Sequence, residues 1–290
     1  MKTVSLWFDG GGCHGLGNIC RSLELGRRLA RFGYEVSFRP LSSDAANLAR
    51  LAFGADVGKA DVVVLDVPYP GDVWSKAANE EGARVLALDY EGAVAPDLVV
   101  SLQAVRALAP GTRHLVGLDY AIIRSEFLAP TTKGSDGEGF VLVMLGGGAP
   151  AEQTERILRR LSAVASNVVL VQGPLAAGID LGAIPFCVRV VNQPENLAAL
   201  MAGCSWAVTT GGTSLMELVH LGRAVYVLPR TPAEATFVAI FAGHSVVFGI
   251  GEEGLNCPTA VQREHCAVVG PRLIDGRGCE RLAELIDTLL

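Results

Sequence analysis

Short apolar runs alternate with amphipathic stretches along most of this chain. In the first half the apolar runs fall at 4–8, 35–38, 61–65, 84–88 and 98–101, and helical patterns fall at 18–32, 44–52 and 73–81. In the second half the runs are at 140–145, 168–172, 188–191, 206–210 and 225–228. The matching helical patterns are at 151–165, 195–202, 214–221, 233–242 and 279–289. Continuous apolar runs joined by helices predict strands buried on both faces, and so parallel, doubly wound α/β sheets.

The segment 129–139 interrupts this rhythm with the most polar and turn-rich stretch of the chain, which is the composition of an interdomain linker. It divides the sequence into an N-terminal domain at 1–128 and a C-terminal domain at 140–290. Each half opens with a strand that runs into glycines, Asp9-Gly-Gly-Gly12-Cys-His14-Gly15-Leu-Gly17 in one and Leu145-Gly146-Gly147-Gly148 in the other. Two Rossmann-like domains facing a cleft are expected, with ligands gathered at the C-terminal ends of the strands.

Composition narrows the function. Half of the 290 residues are hydrophobic and 19% are charged, against roughly 25% charged in an average domain. The net charge is −6, and the 20 Arg and 4 Lys are scattered. Nucleic acid is therefore not an expected partner, because binding it needs a clustered basic face. Seven cysteines form no C-x-x-C pair, which points to reduced thiols and a cytoplasmic protein. The N-terminal apolar run meets Asp9 too early for a signal peptide. The longest apolar stretch, 235–251, is broken by His244 and reads as helix, turn and strand rather than as a transmembrane segment.

The most informative stretch is Ala207-Val-Thr-Thr-Gly211-Gly212-Thr213-Ser214-Leu-Met-Glu217. An apolar run, two glycines and an immediate helical pattern describe a strand, a tight turn and a helix N-terminus. Glycines permit positive φ and close approach of a ligand. The unpaired N–H groups of the first helical turn favour an anion such as a diphosphate. Glu217, about one turn into the helix, is placed to hold two neighbouring hydroxyls of a ribose. Together these read as a nucleotide site at Gly211, Gly212, Thr213, Ser214 and Glu217. The competing structural reading is a capping box, Ser214-Leu-Met-Glu217, in which the Glu serves the helix and no ligand.

The N-terminal loop spells Gly10-x-Gly12-x-x-Gly15, a dinucleotide fingerprint in the right context. No acid follows the second strand to hold an NAD ribose; Arg39 there leaves an NADP enzyme as a minor alternative. His14 is a candidate general base near neutral pH. Asn18 is a natural helix N-cap that can also present its amide to a phosphate. Asp66, Asp89 and Asp119 each follow an apolar strand and read as caps of the next helix or turn. His114, His220, His244 and His265 have no metal-site spacing.

These motifs, in their order, resemble a known group: the UDP-sugar hydrolases of pseudaminic acid synthesis and the related spore-coat polysaccharide glycosyltransferases. The group shares the GT-B fold with the N-acetylglucosaminyltransferase that makes lipid II. The family's Gly-x-Gly-His-x-x-Arg loop resembles Gly15-Leu-Gly17-Asn18-Ile-Cys-Arg21. Its Gly-x-Tyr-x-x-Leu-Arg-x-x-Phe stretch is similar to 117–127, with one extra residue. The Gly-Gly opening of the second domain matches Gly146-Gly147, and the Gly-Gly-x-Ser/Thr-x-x-Glu…Gly motif matches Gly211–Glu217 with Gly222. A closing Asp-Gly-x-Gly-x-x-Arg matches 275–281.

The resemblance implies a GT-B enzyme with nucleotide on the C-terminal domain, phosphates at 211–214 and ribose at Glu217. It places Gly12, Gly15, Gly17, Gly146 and Gly147 around the sugar and phosphates, and His14 and Asn18 at the catalytic position. No metal or other cofactor is implied, since helix N-termini and loop amides can neutralise a leaving diphosphate. Two departures stand out. Asn18 replaces the loop histidine with which the hydrolases activate water, and Arg230-Thr-Pro-Ala-Glu234 replaces an Asn-Gln that contacts the donor sugar. The expectation is transfer of a sugar from a UDP-sugar to an unknown acceptor. The alternatives are UDP-sugar hydrolysis and non-catalytic nucleotide-sugar binding.

Overall fold

The computed structural model describes residues 2–11, 15–52, 58–105, 108–128, 139–146, 149–173, 178–184, 186–192 and 194–290. The chain divides into two compact units, Met1–Arg124 with Gly276–Leu290, and Ser125–Asp275. This differs from the expected 1–128 and 140–290 in one important respect. The end of the chain belongs with the first unit, because its last helix carries core residues of that unit.

In the first unit, β1 (Thr3–Phe8), α1 (Gly17–Arg31), β2 (Glu35–Pro40), α2 (Ser43–Ala49), β3 (Val62–Asp66), α3 (Asp72–Glu80), β4 (Arg84–Leu88), β5 (Leu98–Ser101) and β6 (His114–Val116) follow in order. All six strands are parallel, in the order β2-β1-β3-β4-β5-β6. Strand periodicity sends alternate residues to opposite faces. Val4, Leu6, Phe8, Val62, Val64, Leu86 and Val100 join one core with Leu25 and Leu29 of α1. Trp7, Val63, Leu65, Val85, Ala87 and Val99 join the other with Ala78 of α3. Leu25 and Leu29 are fully buried, a burial that stabilises by roughly 1.5–3 kcal/mol for each.

The second unit contains α4 (Ser125–Leu128), β7 (Val141–Met144), α5 (Ala151–Leu161), β8 (Val168–Gln172), β9 (Val188–Asn192), α6 (Leu197–Gly203), β10 (Trp206–Thr209), α7 (Thr213–His220), β11 (Val225–Val227), α8 (Pro232–Gly243), β12 (Val247–Ile250) and α9 (Ala260–Leu273). Its six parallel strands run β12-β11-β10-β7-β8-β9. Every residue of β7, β10 and β11 is buried, which accounts for their uninterrupted apolar runs. Thr231 caps α8 through the Glu234 N–H, and Pro232 opens the helix, where its missing N–H costs nothing. The final helix, α10 (Gly278–Asp287), places Cys279, Leu282, Ala283 and Ile286 in the α1-side core of the first unit. Among the described residues no helix is long and apolar enough to cross a membrane.

Candidate functional site

In a doubly wound sheet the strand order reverses at one point, and the loops there diverge to leave a crevice. In the first unit that point lies between β1 and β3, which are neighbours although β2 comes between them in the chain. The loop after β1 turns back on itself at Gly11 and Gly15, whose φ angles are 94° and 74°, with the Gly11 N–H donating to the Gly15 carbonyl at 2.7 Å. A side chain at either position would be strained. Asp9 anchors the loop. Its Oδ1 accepts from the Gly10 N–H at 2.8 Å and from Ser42 Oγ at 2.6 Å, and its Oδ2 accepts from the Tyr69 hydroxyl at 2.6 Å. Burial and this bond push the Tyr69 hydroxyl up to about 12, so it remains a donor at neutral pH.

Asp66 ends β3 with no solvent exposure. Its Oδ1 accepts from Asn18 Nδ2 and Arg21 Nη2, both at 2.6 Å. Its Oδ2 accepts from Arg21 Nε at 2.8 Å and Ser22 Oγ at 2.9 Å. Four donors fill the acceptor sites of a carboxylate, which leaves Asp66 no lone pair for a substrate proton. Arg21 also donates to Asp89 Oδ2 at 2.5 Å. Although desolvation opposes its charge, the two carboxylates hold the Arg21 guanidinium more firmly protonated than usual.

These contacts correct two expectations. Asn18 is not the N-cap of α1: Leu16 holds that position with no side-chain bond, and the Asn18 amide is turned to Asp66 instead. Among the described residues Asp66 caps no helix, because an arginine one turn into α1 competes for it. Asp89 serves both a turn, by accepting the Leu102 N–H at 3.1 Å, and Arg21. Arg39, the candidate for an NADP phosphate, stacks its guanidinium 4.2 Å from the Trp7 ring centroid and pairs with Glu81 at 3.0 Å. His14 and Gly12 lie outside the described residues, as does Gly147. The loop glycines Gly15 and Gly17 flank the start of α1.

The second unit repeats the arrangement. Its reversal point lies between β7 and β10, where Met144 is in register with Thr209. Gly146 follows β7 with φ 84°, and Gly211-Gly212 follows β10. Gly212 is the N-cap of α7, with φ −97° and no side-chain capping bond. The alternative reading, a capping box with Ser214 as the N-cap, is therefore not what is found. Ser214 already lies inside the helix, and the reciprocal box is formed by Thr259 and Gln262 on α9. Nor does either glycine of the turn adopt positive φ. Gly211 is closely packed, since a Cβ there would stand 3.0 Å from both Glu234 Cβ and Val238 Cγ2 and would press on them, whereas a Cβ at Gly212 would meet nothing within 4 Å. Glu217 is 2% exposed on α7. Thr213 and Ser214 occupy its first turn, which brings all five predicted nucleotide residues onto one turn and helix.

Sequence reading missed the partners of this turn. Glu234 Oε2 accepts from the Gly211 N–H at 3.4 Å and the Arg230 N–H at 2.8 Å. Glu234 Oε1 accepts from Arg230 Nε and Nη2 at 3.3 and 3.1 Å. Thr231-Pro-Ala-Glu234 spells a capping box in sequence, yet the carboxylate bypasses the Thr231 N–H for these neighbours. The signal was visible as the departure from the Asn-Gln of the resembling family, without its geometry.

Two parallel six-stranded sheets with flanking helices, each carrying glycine loops at its reversal point, define a GT-B fold. Solved structures bear this out across the whole chain. MurG from Acinetobacter baumannii matches 99% of this chain and 100% of its own at a TM-score of 0.66 and 14% identity. The glycotransferase of kitacinnamycin matches 100% and 99% at 0.66 and 16%. The glycosyltransferase SnogD from Streptomyces nogalater matches 100% of both chains at 0.59 and 17%. In sequence, the chain is similar to the spore coat polysaccharide biosynthesis protein SpsG of Bacillus subtilis (strain 168), 24% identical over 218 residues. That match spans 67% of this chain and 63% of the relative's length. No protein-family model matches the chain.

Proposed function

We propose that this protein is a glycosyltransferase that takes a sugar from a UDP-sugar and passes it to an acceptor hydroxyl in polysaccharide or glycoconjugate synthesis. The observation that carries the reading is the Gly211-Gly212 turn at the reversal point of the second sheet, where β10 feeds α7 beside Gly146. In this reading the diphosphate lies on the N–H groups of the turn and first helical residues, with Glu217 on the ribose. The GT-B fold and the similarity to a spore-coat polysaccharide protein support a nucleotide-sugar substrate. Asn18 replaces the residue with which the resembling hydrolases activate water. In transfer the acceptor oxygen bonds the sugar as the sugar–diphosphate bond breaks, and the acceptor's proton passes to a leaving diphosphate oxygen. The bound acceptor's orientation supplies what a base would. The Asn18 Nδ2 donates to Asp66, so the amide oxygen can accept a hydrogen bond from a hydroxyl but cannot take the proton. With Asp66 saturated by four donors, neither residue supplies the base that water needs.

The test is incubation with UDP-sugars, with and without hydroxyl acceptors, while UDP release is followed. Acceptor-dependent release supports transfer, brisk release without acceptor makes the protein a hydrolase, and binding without release makes it a carrier. Thermal unfolding gives an independent check, since a ligand of the native state raises Tm by mass action. A rise with NADPH and none with any uridine nucleotide would sink the proposal.

A further inference from the structure

Resting on the nucleotide reading above, we propose that Arg230 is a direct contact of the donor diphosphate and that Glu234 is the positioning residue that holds it there. Arg230 follows β11, whereas Gly146 follows β7, two strands away across β10. Its side chain nonetheless spans that distance. A Cβ built on Gly146 would lie 3.4 Å from Arg230 Nη1 and 3.6 Å from Cζ. The guanidinium therefore lies across the end of β10, towards the turn at Gly211-Gly212, against the position a side chain at Gly146 would occupy.

Glu234 determines which edge of the guanidinium is available. It engages Nε and Nη2 through Oε1, and no bond to Nη1 is found among the described residues. Oε2 meanwhile ties the Arg230 backbone N–H and the Gly211 N–H together, so one carboxylate fixes both the cation and the glycine turn. The Arg230 side chain is 34% exposed and that of Glu234 16%, so the cation stays accessible to a ligand while its partner is largely covered. The carboxylate does not cancel the site's appeal to an anion. It lies in the first turn of α8, where the helix dipole offsets negative charge, and it is already shared by four donors. A diphosphate oxygen beside Gly212 then finds Nη1 of Arg230 on one side and the opening N–H groups of α7 on the other. Planar, forked donors suit phosphate oxygens in this way.

The test compares the full-length wild type with Arg230→Gln, Arg230→Lys, Glu234→Gln and the Arg230→Gln/Glu234→Gln double variant, by calorimetric titration of UDP, uridine and inorganic pyrophosphate. Losing a hydrogen bond to a charged group costs about 10- to 100-fold in affinity. Arg230→Gln should lose about that much for UDP and pyrophosphate and nothing for uridine, with Arg230→Lys in between. Glu234→Gln should weaken UDP less than Arg230→Gln does. It should cost less in the Arg230→Gln background than in the wild type, because only its ties to the backbone N–H groups of Gly211 and residue 230 are then left to lose. The Tm of each unliganded variant separates this from a folding defect. Should wild type bind UDP and Arg230→Gln bind it equally well, the inference falls while the nucleotide reading stands. Should wild type bind none of the three, both fall. Tighter UDP binding by Glu234→Gln would make Glu234 a competitor of the ligand and overturn its positioning role.

Discussion

Asp66 has no exposure and four side-chain donors, and this determines what the residues around it tolerate. Arg21 supplies two of those donors and is 14% exposed. Removing one partner of a buried ion pair leaves the other charge stranded, at a cost of about 3–5 kcal/mol. Arg21→Met should therefore lose about that much stability in denaturant unfolding, whereas the exposed Lys76→Met should change little. His114 presents the opposite case. Its Nε2 is buried without a partner among the described residues, and burial holds the imidazole below its usual titration range despite the pull of Asp89. The unfolded chain then takes up a proton before the folded one does, so stability is complete above about pH 6.5 and falls as pH drops through that value. His114→Leu should flatten the Tm between pH 7 and 5 without lowering it at pH 8; an unchanged slope would assign the pH dependence elsewhere. At this scale the sequence was legible where one residue type has one role. Gly211 and Gly146 could be read as glycines at strand ends. The Asn18 amide could not, because Ser, Asp and Asn at helix starts look like caps until a buried carboxylate competes for them.

Most strands and helices were readable from the pattern, including β2 and β9, which bury few or none of their residues, but β6 and α9 were missed. The three-residue β6 is too short to show a period. Helix α9 escaped because Val261 and Val268 face solvent at 75% and 49% exposure, only Cys266 and Gly270 are buried, and Pro271 lies inside it. It packs by backbone proximity rather than by a hydrophobic stripe. A Cβ on Gly270 would lie 2.2 Å from the Val219 carbonyl oxygen at the end of α7, and one on Gly222 would lie 2.9 Å from Ala267 Cα. Gly270→Ala must therefore push α9 from α7, at a cost of about 1–3 kcal/mol, while Val268→Ala on the exposed side should stay within about 0.5 kcal/mol. Equal Tm values for the two variants would show that the helices have room to separate. Because α7 also carries the glycine turn at its start, Gly270→Ala should weaken UDP binding beyond what Val268→Ala does.

For the whole molecule, the alternation of runs gave both parallel sheets and the family resemblance gave the GT-B class, but neither gave the ownership of the last helix, which depends on contacts between distant residues. Asn18, where the resembling hydrolases carry a histidine, suggests a gain-of-function experiment. In Asn18→His an imidazole would stand where the amide now meets Asp66, with one nitrogen held by the carboxylate and the other able to take a proton from water. A positioned base contributes about 10²- to 10⁴-fold, so UDP release without acceptor should rise in this variant. Rapid acceptor-free release by the wild type, unaltered by Asn18→His, would count against the transfer reading. The seating of α10 against α1 also has a temporal consequence. Residues 1–124 leave the ribosome well before Leu282 and Ile286, which complete that unit's core. Segments usually fold in order of synthesis, but here the contiguous Ser125–Asp275 unit can finish first while the earlier one waits. A chain stopped at Asp275 should leave its first 124 residues protease-sensitive and its second unit protected, and supplying 276–290 as a separate peptide should restore the protection.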